Sequence, residues 1–502
     1  MAPDRLEYTT MHHLTKSKFT SGLTCPRQLW FKVHDPVPYV DPLPGEPMDI
    51  GNHVGRGAHT LFQGGVEVKE APWEHAQAVA QTRKLMDDPA VPSIFEAAFE
   101  YENVRIRVDV LERLSDGAWC IREVKSSGSV KQYHLWDAAV QLWVADGSGV
   151  DLSAVSLIHV DTDYVYVGGA LDWSKLLVLK DITEDCINLQ ADVAAIAADQ
   201  LKILQQTEPP NVHPNKSRCK GSFTCDYWDR CSAALPNDWV QLLPGIRSIK
   251  VEEWAEAGIH AISDLPNDAS LNLIQQRVVD VMTSGEPFIS PDLGDALKNF
   301  GPPAYYFDFE TIQPMLPVYA GTSPGQQIPF QWSLHHLSAD GKVTHAEYLG
   351  PIVIDPRREL AESLIDAIKD DGAPVLAYNA SFEGRVLRTL ADQFVDLAER
   401  LLAIEQRLLD PLSLVKRHTY FPGYKGSFSL KTVGPTLAPE HSYEDLEGVA
   451  VGTDASAAYW QMVYTRQDDP DVRQALLAYC MLDTEILMAV HQRLNALAAA
   501  QA

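Results

Sequence analysis

Residues 104–114, VRIRVDVLERL, alternate apolar and polar positions, the period of a strand with one face buried. The same reading predicts a helix near Glu74–Asp88 and strands near Ala97–Tyr101, Val104–Leu111 and Ala118–Val124. A helix near Lys131–Ala145, a strand near Val155–Val160 and a long helix near Glu184–Gln205 follow. Residues from about 15 to 235 therefore read as mixed α/β. Residues from about 238 to 295 read as short helices. Within them, LPGIRSIKVEEWAEAGIHAISDL carries two Gly-Ile turns and faintly resembles a helix-hairpin-helix module, with a plain helical linker as the alternative. A second α/β unit opens with the aromatic strand AYYFDFET. It closes with DVRQALLAYCMLDTEILMAVHQRLNAL, whose apolar residues recur at i, i+3 and i+4. The expectation is a multidomain α/β chain divided as 1–237, 238–300 and 301–502.

Two clusters of polar residues interrupt this pattern at chemically specific places. In the first, Asp109 lies late in an alternating strand, and Glu123 and Lys125 stand two apart on the next, so both project from one face. Two carboxylates can hold a divalent ion through oxygen, and an ammonium beside them can orient water or steady developing charge. Gln141, in the helical segment AAVQLWVA, is placed to support the site. His59, in GRGAHTLF, is a candidate additional ligand, with a surface histidine as the alternative. An Asp followed by Glu-x-Lys also arises in salt-bridged strands that have no chemistry.

In the second, Asp308 and Glu310 are two apart on one strand face, while Tyr479 and Asp483 are four apart on one helix face. Between them PVLAYNASFEG reads as a strand ending near Asn379 and a helix beginning near Phe382–Glu383. Four acids from one strand and two helices suit two divalent ions, with Tyr479 orienting a water. Asp410, in LLDPLSLV, is either an accessory group or a helix N-cap.

Seven cysteines are present. Cys120, Cys186 and Cys480 sit alone in apolar or helical contexts and read as buried fillers. Cys219, Cys225 and Cys231 form a tight triplet with Arg218, Lys220, Asp226 and Arg230 around them, and Cys25 is the natural fourth. Four thiolates fit tetrahedral zinc or a cubane iron–sulfur cluster. Four buried free thiols are the alternative, and the charged neighbours speak against it.

Acidic residues outnumber basic ones by 68 to 41, for a net charge of −27. That argues against a passive nucleic-acid coat, which would carry a broad basic surface. It leaves room for a nuclease whose metal ions supply positive charge at the phosphate. No apolar run is long enough to span a membrane, and the N-terminal stretch has no apolar leader core, so the expected location is the cytoplasm, with no membrane partner.

The first set, in its order of helix, Asp strand, Glu-Val-Lys strand and Gln helix, resembles the RecB-like branch of the PD-(D/E)XK nuclease superfamily. One cysteine upstream and three downstream resemble the iron–sulfur members of that branch, including the CRISPR-associated nuclease of spacer acquisition. The resemblance implies catalytic roles for Asp109, Glu123, Lys125, Gln141 and His59, and a [4Fe–4S] cluster on Cys25, Cys219, Cys225 and Cys231, with zinc as the alternative. The second set resembles the tyrosine-bearing DEDD exonucleases of RNase H-like fold, with Glu383 where that family carries Asp. This implies metal ligation by Asp308, Glu310, Glu383 and Asp483, a role for Tyr479, and substrate contacts from Asn379, Ser427 and Lys431. The whole resembles a bacterial family that fuses the two domains. The implied function is a magnesium- or manganese-dependent nuclease on single-stranded ends, the second domain acting 3′–5′, with DNA expected ahead of RNA. A protein partner in repair, defence or a CRISPR-type system is a further expectation. The rivals are an RNA-processing exonuclease and a nucleic-acid-binding scaffold with one or both sites silent.

Overall fold

The computed structural model describes residues 12–221, 224–441, 443 and 452–501, so the start of the chain, on which the expectation of no leader rests, lies outside the described residues. It is mixed α/β. The chain divides into two compact units: the residues up to Ala233 with Ser323–Gly325, and Ala234–Thr322 with Gln326 onward. The helical segment 238–300 belongs to the second unit. Among the described residues no helix is long and apolar enough to cross a membrane.

The first unit is built on a sheet of β1 (Leu14–Thr15), β2 (Val66–Glu67), β3 (Ser93–Tyr101), β4 (Val104–Arg113), β5 (Trp119–Lys125), β6 (Leu152–Val160) and β7 (Leu177–Asp181). The order is β2-β3-β4-β5-β6-β7, with β1 pairing parallel to the start of β4. Two antiparallel ladders, β3–β4 and β4–β5, put Asp109 and Glu123 on neighbouring strands. The helix Gln132–Gly147 packs its apolar face (Ala138, Ala139, Val144, Ala145) into the core formed by Ile94, Phe99, Val108 and Ile121. The long helix expected near Glu184–Gln205 is two, Thr183–Asn188 and Gln190–Leu204, separated at Leu189. Its apolar periodicity continues across the break, which is why the pattern alone did not show it.

In the second unit, short strands β8 (Phe288–Ile289) and β14 (Thr419–Tyr420) form a separate pair. The main sheet contains β9 (Ala304–Ile312), β10 (Ile328–Leu337), β11 (Val343–Leu349), β12 (Val375–Leu376) and β13 (Leu408–Leu409), ordered β11-β10-β9-β12-β13. β10 lies antiparallel to β9 and β11, whereas β12 runs parallel to β9 and β13. Alternation along β9 sets the layers. Tyr305, Phe307 and Phe309 pack against the helices Arg357–Ala367, Ser381–Gln393 and Ala398–Glu405. The other face carries Tyr306, Asp308, Glu310 and Ile312, and meets the closing helix Pro470–Gln501.

Polar contacts pin that helix. Gln331 Nε2 donates to Leu476 O at 2.8 Å. Thr484 Oγ1 lies 2.8 Å from both Ser333 Oγ and His335 Nδ1. Tyr306 Oη lies 2.9 Å from His491 Nδ1. The small helix Leu430–Leu437 closes on the same element, and a Cβ at Gly434 would stand 2.5 Å from Ile486 Cγ2. Overpacking there has no flexible side-chain end to absorb it. Gly434→Ala is therefore expected to destabilise the second unit by about 1–3 kcal/mol, read as a lower midpoint in urea. An unchanged midpoint would show that the helix can shift freely.

Candidate functional site

In the first unit the register of β1 decides what surrounds the acids. Thr15 pairs with Arg105, so Lys16, the first residue of the helix Lys16–Thr24, lies beside β4. Its Nζ donates to Glu123 Oε1 at 3.1 Å and Oε2 at 3.2 Å and stands 3.7 Å from Asp109 Oδ1. Lys125 Nζ is 2.6 Å from Glu123 Oε1 and is also paired with Asp137. Gln141 Nε2 donates to Glu123 Oε2 at 2.6 Å, and Asp109 Oδ2 accepts the Val124 N–H at 2.7 Å. Asp109, Glu123, Lys125 and Gln141 are thus brought together.

Burial opposes charge on Glu123, but Lys125 and Lys16 outweigh it and hold the carboxyl well below its usual range. Burial and then the Glu123 charge push Asp109 up to about 7. His59 is placed differently: its ring stacks on Phe95 at 3.9 Å, and the charge it feels is that of Glu67.

Three participants were not found from the sequence. Lys16 arrives from a distant segment, and Asp137 is marked only by its i, i+4 spacing from Gln141. Glu96 is the third. Phe95 pairs with Val110 and Ala97 with Val108, which leaves Glu96 opposite Asp109 at φ +55°. Such left-handed backbone within a strand is a costly bulge geometry, found most often where a side chain must be re-aimed. The Glu96 carboxyl, raised by burial, feels Lys16 and Glu123.

The cysteines are gathered less tightly. Cys25 caps both the helix before it and the helix Pro26–His34. That second helix carries Phe31, which stacks on Tyr227 at 5.1 Å, with Arg230 over both rings. Burial raises the Cys225 and Cys231 thiols, and each also feels Cys25 and Cys219. Among the described residues, the group of three or more ligand side chains whose donor atoms lie within 4.8 Å of one another is Asp308, Glu310 and Asp483, and no thiol set reaches that closeness.

That acidic trio belongs to the second unit. Asp308 and Glu310 come from one face of β9, and Asp483 from the closing helix, one residue before the Thr484 latch. Glu383 stands outside the trio, in the first turn of the helix Ser381–Gln393, where the positive end of the helix favours an acid. It is 2 % exposed, and its Oε2 has no hydrogen-bond partner among the described residues. Burial and mutual repulsion push Asp308 and Glu310 well above the usual carboxylate range, and burial takes Glu383 to about 8. Asp483 is raised by burial too, opposed by hydrogen bonds from Tyr443 and Tyr479.

Lys431 faces the acids, with its Nζ 4.8 Å from the Tyr479 ring centroid. Asp308, Asp483, Lys431 and Tyr378 line a cavity of about 240 Å³. Tyr443 is a contributor that the sequence did not flag. Asp410 is the N-cap of Pro411–His418, and its carboxylate also accepts the N–H of exposed Asn379, which sits at φ +72°. Ser427 hydrogen-bonds to Ser429.

Oxygen-only donors of this density suit a hard divalent ion such as magnesium or manganese. The orphaned Glu383 oxygen and the raised carboxyls fit that group, since each would be relieved by a cation. Because the Glu383 carboxyl titrates higher when folded than in an unfolded chain, its favourable contribution is complete at acid pH and is lost as pH rises through about 8. In chelator, Glu383→Gln is expected to melt close to wild type at pH 4.5. It should exceed wild type by a margin that grows up to pH 8 and reaches several degrees. A margin that does not vary with pH would refute the buried-acid picture.

Comparison with known proteins adds little to this geometry. Residues 305–429, which include Asp308, Glu310 and Glu383, match the family model described as "Domain of unknown function (DUF2779)". No curated protein matches the chain. Among solved structures, "Crystal structure of SSO0001" is 15% identical, covers 44% of this chain and 87% of that chain, and superposes with a TM-score of 0.21, too low to carry any argument.

Proposed function

We propose that this chain is a metal-dependent nuclease that hydrolyses phosphodiester bonds at single-stranded ends, DNA ahead of RNA, through two separate sites. The first unit is read as a PD-(D/E)XK, RecB-like domain and the second as an RNase H-like, tyrosine-bearing DEDD exonuclease domain. The observation that carries the reading is the convergence of Asp308, Glu310 and Asp483 within 4.8 Å, with buried Glu383 beside them. A cluster this acidic is costly unless divalent ions neutralise it.

Asp308, Glu310, Glu383 and Asp483 would hold magnesium or manganese. The ions supply an activated water and neutralise charge on the scissile phosphate. Tyr479, hydrogen-bonded to Asp483, orients the attacking water, and Lys431 contributes positive charge at the cavity wall. In the first unit Asp109 and Glu123 would hold the metal and Lys125 would orient the water it activates, while Gln141 fixes the Glu123 carboxylate. One observation favours a second reading for that unit: Lys16 already spans both Glu123 oxygens and approaches Asp109, which suits a site that binds nucleic acid without cutting it. The four-cysteine set is read as the seat of a [4Fe–4S] cluster.

End-labelled single-stranded DNA and RNA, incubated with manganese, test the assignment. Lys125→Ala is expected to abolish one set of products and Asp308→Ala the other, each by at least about 100-fold. Loss of only the Asp308-dependent products would make the first unit a binding module. Absence of cleavage by wild type on every substrate would remove the nuclease reading. Separately, protein purified without oxygen is expected to be brown and to carry about four iron atoms per chain, with both lost in Cys225→Ser. Colourless protein with one zinc would replace the cluster by a zinc site.

A further inference from the structure

A cavity of about 540 Å³ opens in the first unit beside the Asp109–Glu123 pair, sharing Lys16 with it. Its walls include Lys16, Lys18, Arg105, Arg107, His13 and His75, and among the described residues no Asp or Glu lines it. In a chain of net charge −27, such a wall is a marked local reversal of sign.

These cations are unequally occupied. Lys16 is committed to Glu123, and Arg107 donates to the backbone carbonyls of Glu70 and Glu96. Arg105 is paired with Glu100 at 3.0 Å, the same carboxylate that lies 3.6 Å from His13 and 3.8 Å from His75. One acid therefore serves three cationic or ionisable groups. Among the described residues, Lys18 Nζ donates only to the His13 carbonyl, at 3.3 Å. His75, 5 % exposed, has an Nε2 without a hydrogen-bond partner among those residues. Burial, and after it the Arg105 charge, lowers the Lys18 pKa. The first turn of the helix Lys16–Thr24 (Thr15, Lys16, Ser17) adds its positive end to the wall.

We propose that this cavity binds the phosphate backbone of a single strand, Lys18 and Arg105 holding phosphates next to the diester presented to Asp109 and Glu123. The inference rests on the nuclease reading of the first unit and extends it to substrate capture. Apart from histidine, the described wall offers no aromatic ring for base stacking, so recognition is of backbone charge and independent of base sequence.

The test is fluorescence anisotropy of labelled oligothymidylate and oligoadenylate of about twelve nucleotides, in EDTA, across a salt series. Wild type is compared with Lys18→Gln, with Lys18→Gln/Arg105→Gln, and with Lys175→Gln, which removes the same charge from an exposed residue outside the cavity. The double variant is expected to weaken binding of both oligomers at least about tenfold and to flatten the salt slope by about 1.4, the single by half that. The control is expected to match wild type.

The single variant, which breaks only a bond to a carbonyl, guards against a folding defect in the double. Unchanged binding and slope in both variants, with cleavage by wild type intact, would overturn the cavity and leave the nuclease reading standing. Loss of binding in the variants, with no protein cutting any substrate, would keep the cavity and remove the Asp109–Glu123 chemistry. Wild type that binds pyrophosphate but no oligonucleotide would make the cavity a small-anion site and overturn the proposal.

Discussion

Buried negative charge is the constraint around which both units are organised. Ionised carboxylates whose oxygens lie within 4.8 Å of one another repel by about 3 kcal/mol or more per pair at the effective dielectric of a protein site. The fold of each unit must therefore supply cations or hold protons. The first unit supplies cations from its own chain: Lys16 and Lys125 converge on Glu123, and Gln141 takes the remaining lone pair. The second gathers Asp308, Glu310 and Asp483, with Glu383 buried nearby and Lys431 facing them, and burial with mutual repulsion pushes the Asp308 and Glu310 carboxyls well above their usual range. The same chemical problem has thus been solved in opposite ways. The second solution leaves the greater stored demand for a divalent ion.

Holding such a cluster together requires scaffolding that does not depend on the acids themselves. Along β9 the alternate face is packed with Tyr305, Phe307 and Phe309, which fixes the strand against its helical layer. The closing helix is held by Gln331, Ser333, His335 and Tyr306 through hydrogen bonds to Leu476, Thr484 and His491. Because Thr484 is latched to β10, Asp483 has no freedom to retreat from Asp308, which pairs with Ser333 in the β9–β10 register. Packing and neutral hydrogen bonds hold the geometry in which the repulsion persists.

The first unit segregates charge over a short distance. The pairing of β1 with β4 sets Lys16 at the acids and carries Lys18 past them into a wall shared with Arg105 and Arg107. Within a chain of net charge −27, this sets a wall of positive potential directly beside an acidic pair.

Residues related by a local period were legible in the sequence. Asp308 with Glu310, Glu123 with Lys125, and Tyr479 with Asp483 are fixed to common faces by the strand and helix repeats, whatever the remainder of the fold does. The strands Val104–Arg113 and Trp119–Lys125 followed from alternation, and the mixed α/β character followed from their order. Other features belong to the tertiary structure alone. Lys16 meets Glu123 across 107 positions of chain, Glu96 reaches its place through a left-handed bulge, and the basic cavity gathers side chains from three separate segments. His59 has a sequence context that suggests a ligand and a tertiary position against Phe95. Periodicity fixes which face a side chain occupies. Which distant faces come together depends on strand pairing and layer packing, whose free energies are set by contacts between remote segments that no local window contains.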